Sequence, residues 1–160
     1  MQEIKDKLQD FIHGDKASFI FVITRLSVFV LFFISLYLPF FFEPTIITGQ
    51  VSLAAHPGGV IFAIIIFLSI PGYFYFYLMN NNKFTKIVLL VQGITASLIY
   101  MYGILGLRIA FPDTATAGFG KHLGFLMLIL IWFLFFGEKL IFSSIKKYIL
   151  KEEIITEQEN

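Results

Sequence analysis

Four long apolar runs, at about 19–42, 60–79, 87–107 and 119–138, alternate with short polar stretches along this chain. A bilayer core about 30 Å thick takes roughly 20 helical residues to cross, and each run reaches that length. A spanning barrel would need apolar and polar residues in alternation. Leu126-Met127-Leu128-Ile129-Leu130-Ile131-Trp132-Phe133 is apolar on every side, so the pattern predicts helices.

The flanks show a different period. Ile4, Leu8, Phe11 and Ile12 share one helical stripe, opposite Glu3, Lys5, Asp6, Gln9 and Asp10. Residues 1–14 are therefore expected as an amphipathic helix in the membrane interface. Gly14 ends it, and Asp15 or Ser18 can cap the helix that follows. Past the last run, Ile141, Ile145, Tyr148 and Ile149 lie opposite Lys146, Lys147 and Lys151, so 139–160 reads as a helical tail. The start of the chain is polar and of mixed charge, and its first apolar run is too long for a signal-peptide core. That run is expected to stay attached as a span. The fold expected is an all-α integral membrane protein: one membrane domain, a four-transmembrane-helix bundle with an N-terminal interfacial helix and a C-terminal helical extension.

Composition narrows the function classes. Of 160 residues, 58% are apolar and 14% charged, against about 25% charged in a soluble domain. The chain has no Cys, which excludes disulfides, thiolate metal sites and thiol redox chemistry. A net charge of +1 argues against a nucleic-acid partner, which needs a concentrated basic surface. The Asn80-Asn81-Asn82-Lys83 run reads as compositional bias and assigns no function.

The basic residues set a direction. Lys5, Lys7, Lys16, Arg25, Lys83, Lys86, Lys139, Lys146, Lys147 and Lys151 fall on the side of the N-terminus, and only Arg108 and Lys121 on the other. By the positive-inside rule both termini are expected in the cytoplasm, with a bacterial inner membrane as the expected location. Arg25, a turn or two into the first run, is expected to snorkel back to the headgroups.

Chemistry candidates are few. Gln92 is the strongest polar group within a span, and an interhelical hydrogen bond is expected of it. Gly93 and Ser97, and Gly120 and Gly124, have the small-xxx-small spacing that lets helix backbones approach. Six polar residues gather on the far side: Glu43, His56, Arg108, Asp113, Lys121 and His122. They read as a solvated rim or as a shallow site for an anionic headgroup, a quinone or a protein. No nucleophile–base pair, phosphate loop or zinc-ligand spacing is present.

The leading expectation is a non-enzymatic accessory or structural subunit, with lipid and other membrane subunits, or further copies of itself, as partners. One alternative is a b-type haem or quinone-associated redox subunit using His56 and His122 as axial ligands. Another is a lipid-headgroup or ligand-binding protein with its site on the outer rim. No metal site and no other cofactor is expected.

Overall fold

The structure is a computed structural model that describes residues 2–42, 50–53, 57–110 and 116–159. Among them are six helices: α1 (Gln2–His13), α2 (Lys16–Ser35), α3 (Pro57–Leu78), α4 (Asn82–Ala110), α5 (Phe119–Phe136) and α6 (Glu138–Glu159). Helices α2 to α5 contain the four segments long and apolar enough to cross a membrane. Each packs on the next, and α5 closes the bundle against α2. An even number of crossings leaves α1 and α6 at one end, the terminus end; the two longer connections lie at the other, the loop end.

The outward faces carry exposed Ile61, Leu68, Leu98 and Phe133, among others. Apolar residues on the outside of every spanning helix are what a lipid solvent requires. The core between the helices holds Val22, Phe29, Phe32, Ile66, Ile99, Met127 and Ile131.

The first span is shorter than its apolar run. Helix α2 stops at Ser35, seven residues before the expected end at 42. The backbone N–H groups of Leu36 and Tyr37 donate to Phe33 O and Ile34 O, a tightened last turn ahead of Pro39. Proline disfavours helical backbone in the residue before it, and the run of apolar side chains conceals that stop. Phe41–Phe42 then forms β1, the central strand of a small antiparallel sheet. It pairs with β2 (Gln50–Val51) on one side and β3 (Thr116–Ala117) on the other. The described part of the first loop thus contributes two residues of strand, and Phe40, Phe41 and Leu53 are buried at the sheet.

Glycines close the loop end. Gly118 N–H donates to Phe40 O at 2.9 Å, and Gly120 N–H to Pro39 O at 2.8 Å. A Cβ at Gly120 would stand 2.7 Å from Leu38 O and 2.8 Å from Ser35 O. Both are backbone atoms with no room to yield, so only glycine lets α5 start against the end of α2.

The turn from α3 to α4 uses the asparagine run. Asn80 has a positive φ of 52°, a conformation asparagine tolerates better than most residues. Its N–H donates to Tyr77 O and that of Asn81 to Phe76 O, the paired bonds of a Schellman cap. Asn81 also accepts from Phe84 N–H through its side chain and so caps α4. What reads as compositional bias is a three-residue reversal.

Helix α1 folds back onto the bundle. Phe11 packs against Phe19, Phe74 and Tyr77, with ring centroids 5.3–5.7 Å apart. Leu8 and Ile12 stay exposed, so part of the stripe meets protein and part is left for the interface. Asp15 caps α2 by accepting from Ala17 N–H and from the Ser18 hydroxyl.

Candidate functional site

Arg25 is the tenth residue of the 20-residue α2, so the early end of that helix puts it at mid-span. Its side chain does not run along lipid. Arg25 is 3% exposed and points inward between α2, α3 and α5. Nη2 donates to Leu134 O at 2.6 Å and lies 3.7 Å from a Glu138 carboxylate oxygen. The guanidinium sits 4.5 Å above the Phe21 ring and 5.9 Å from the centre of Tyr73. The snorkelling expected of Arg25 is corrected here: the side chain reaches toward the terminus end, but inside the bundle. A buried charge with good partners is tolerated where a lipid-facing one at mid-span is costly.

Leu134 lies in the last turn of α5, which ends at Phe136. Carbonyls at a helix end lack their usual donors, and cations favour that end of the dipole. Gly137 separates α5 from α6: its N–H donates to Phe133 O, and its own carbonyl accepts from Ile141 N–H. Arg25 thus fastens α2 to the junction of α5 and α6. One turn further on, Phe21 meets Phe142 edge-on at 6.1 Å.

The same arginine lines a cavity of about 220 Å³ with Phe21, Tyr77, Thr85, Lys86 and Glu138. Arg25 and Lys86 supply positive charge there and Glu138 one negative. The Glu138 side chain is 42% exposed, and Lys86 and the lining Asn82 are also exposed, so the cavity opens to the terminus end. On its inner side Arg25 adjoins an apolar crevice, with Val28, Phe29, Leu89 and Ile131 among its walls, that has no space for water. The guanidinium therefore stands between a dry crevice and an open cavity.

The residues singled out by sequence are placed as follows. Glu43, His56 and Asp113 lie outside the described residues, and Arg108 is described in its helical backbone alone. His122 is exposed on α5. Lys121 Nζ lies 5.0 Å over the Phe41 ring, and its carbonyl accepts from Tyr100 at 3.3 Å. Among the described residues no three His, Asp or Glu gather as metal ligands.

Gly93 and Ser97 face Trp132 of α5. A Cβ on Gly93 would stand 3.2 Å from that ring, and Trp132 Nε1 donates to Ser97 Oγ at 3.0 Å. Gly124 lies against Ser35 and Tyr100. These small residues serve contacts within the chain. Gln92 is 1% exposed, yet among the described residues neither amide atom has a hydrogen-bond partner, and the buried Tyr73 hydroxyl has none there either. The interhelical bond expected of Gln92 is not formed.

Sequence reasoning missed the Arg25 cavity because its lining comes from α2, α3, α4 and α6, at residues spread from Ser18 to Phe142. The available signal was Pro39, which shortens the first span and moves Arg25 to its middle. No family model, curated protein or solved structure matches this chain.

Proposed function

We propose that this chain is a non-enzymatic accessory subunit of a bacterial inner membrane, and that it holds out α6 from the cytoplasmic face as a docking arm. The observation that carries this reading is the course of α6. Glu138 lies beside Arg25 and Phe142 beside Phe21, so α6 runs antiparallel along the first turns of α2. Lys146 is close enough to lower the pKa of Asp15, after the larger effect of the Ser18 hydrogen bond. By that point α6 has drawn level with the start of α2, yet it continues to Glu159. Thirteen further residues, 147–159, extend it by about 20 Å.

Such an extension has marginal stability as a lone helix in water. Its sequence mixes Ile149, Leu150, Ile154 and Ile155 with Lys151, Glu152, Glu153 and Glu157, the composition of an amphipathic partner helix. The Arg25 bond to Leu134 O and the Phe21–Phe142 contact support a defined course for α6 as it leaves that junction. The excess of basic residues on this end supports a cytoplasmic placement, and a helical bundle suits the inner membrane, since outer-membrane spans are barrels.

The test compares the full chain with one ended after Lys147, purified in mild detergent and examined by native mass spectrometry. The reading expects a stoichiometric partner, or a second copy, with the full chain only, at equal thermal stability of both bundles. If full and shortened chains are both solitary monomers after extraction from their native membrane, the reading fails. Orientation is tested separately with single cysteines and an impermeant maleimide on intact cells: Gln50→Cys should be labelled and Asn82→Cys protected.

A further inference from the structure

We propose that the cavity beside Arg25 is a binding site for an oxyanion, a phosphate or carboxylate group, held between the Arg25 guanidinium and the Lys86 ammonium. The proposal stands apart from what α6 docks to.

Three observations carry it. The first is charge: Arg25 and Lys86 both line the cavity and Glu138 is the lone carboxylate among its described walls, so one further negative charge balances it. The second is the state of Arg25. A guanidinium carries five N–H donors, and its contact with Glu138, at 3.7 Å, is too long for a good hydrogen bond. The Leu134 carbonyl takes one N–H, which leaves enough donors for the paired contact that arginine often makes with a phosphate or carboxylate. The third is surroundings. The inner crevice is dry and apolar, which strengthens an ion pair on the cavity side. Phe21, Tyr77 and Phe142 supply an apolar rim for the carbon part of a small ligand.

Glu138 is then the occupant that an incoming oxyanion displaces. Its carboxylate, 42% exposed, can turn to water at little cost, whereas Arg25 is confined. Thr85 Oγ1 donates to Asn81 O at 2.9 Å and keeps acceptor capacity only, so the donors among the described walls are the two cations, the Asn82 amide and the Tyr77 hydroxyl. A phosphate free in the cytoplasm and the headgroup of an anionic lipid present the same chemistry.

The experiment follows thermal unfolding and native mass spectra of the full chain in maltoside detergent, with inorganic phosphate or dioctanoyl phosphatidic acid as probe. A rise in unfolding midpoint with phosphate alone identifies a free oxyanion, and a rise with the lipid only identifies a headgroup; either supports the site. Lys86→Gln should weaken the responding probe about tenfold, the worth of one charge-assisted hydrogen bond. Glu138→Gln should tighten it several-fold by removing the competitor, and Lys83→Gln, which takes the same charge from outside the cavity, should leave it unchanged. Arg25→Gln also loses the bond to Leu134 O, so the first two variants decide if it does not fold. The proposal is overturned if neither probe acts at millimolar concentration, or if Lys86→Gln binds like the parent chain.

Discussion

The two ends of the bundle are built on opposite principles. At the loop end, Phe40, Phe41 and Leu53 are buried under three short strands, and Gly118 and Gly120 bring backbone directly against backbone. Among the described residues there, strand pairing and the Gly118 and Gly120 contacts tie main chain to main chain. At the terminus end, a buried cation spans three helices and borders a cavity of about 220 Å³. One end is closed by shape, the other is held by charge and keeps room for something else. Shape closure is unforgiving and needs glycine at a few positions, while charge closure can exchange partners.

Substitutions should separate the two regimes. The largest effect is expected at the loop end. Gly120→Leu puts its Cβ into the carbonyls of Leu38 and Ser35 and should cost about 3 kcal/mol, because backbone cannot give way as a side chain would. A loss below 1 kcal/mol in detergent unfolding would mean that α5 does not start against the end of α2. Next is Arg25→Met at the terminus end. It removes a charged hydrogen bond to Leu134 O but leaves Glu138 free to meet water, so a loss of about 2 kcal/mol is expected. A neutral result would place Arg25 outside the bundle.

Gln92→Leu should act in the other direction. A buried amide with neither atom bonded costs stability that a leucine of similar volume recovers, by about 1 kcal/mol. Destabilisation instead would show that Gln92 has a partner in the membrane. The smallest effect is that of Asp15→Ala, about 1 kcal/mol or less for loss of the α2 cap. The Ser18 hydroxyl is the main cause holding the Asp15 carboxyl below its ordinary pKa, with the Ala17 and Ser18 amides helping. A lowered pKa in the folded state means the cap contributes fully above the unfolded carboxylate value, about pH 4. The gap between parent and variant should be flat from pH 7 to about 4, then shrink as the pH falls further.

How much of this was legible in the sequence differs between the ends as well. The helices declare themselves through apolar runs and stripes, which is why α1 and α3 to α6 fall near their expected bounds. The end of α2 did not, because Leu36, Leu38 and Phe40 to Phe42 continue the apolar run past the point where Pro39 stops the helix. Hydropathy records what solvent a segment tolerates and says little about where its backbone turns. Arg25 moves with that boundary: a cation at this position is a headgroup contact or a mid-span charge depending on where its helix ends. Three asparagines looked like composition because a cap is a matter of φ and of one donor, visible only once both flanking helices are placed. The expected polar site drew on formal charges in the loops near one surface. The described cavity draws on Arg25, Lys86 and Glu138, far apart in sequence and each unremarkable alone. Gln92 was legible as buried; the lack of a partner for it was not, since a bond depends on what faces it.

At the terminus end an electropositive cavity lies against the buried Arg25. Thr85 lines that cavity yet is itself buried, and the chain has no native Cys, so Thr85→Cys reports on it directly. The measurement is its rate of modification by a small methanethiosulfonate bearing either a sulfonate or a trimethylammonium group, each relative to Gln9→Cys on exposed α1. Reaction is expected from the terminus end, with the sulfonate favoured and that preference lost in Lys86→Gln. A Thr85→Cys that reacts with neither reagent, or that prefers the cation, would contradict an electropositive cavity there.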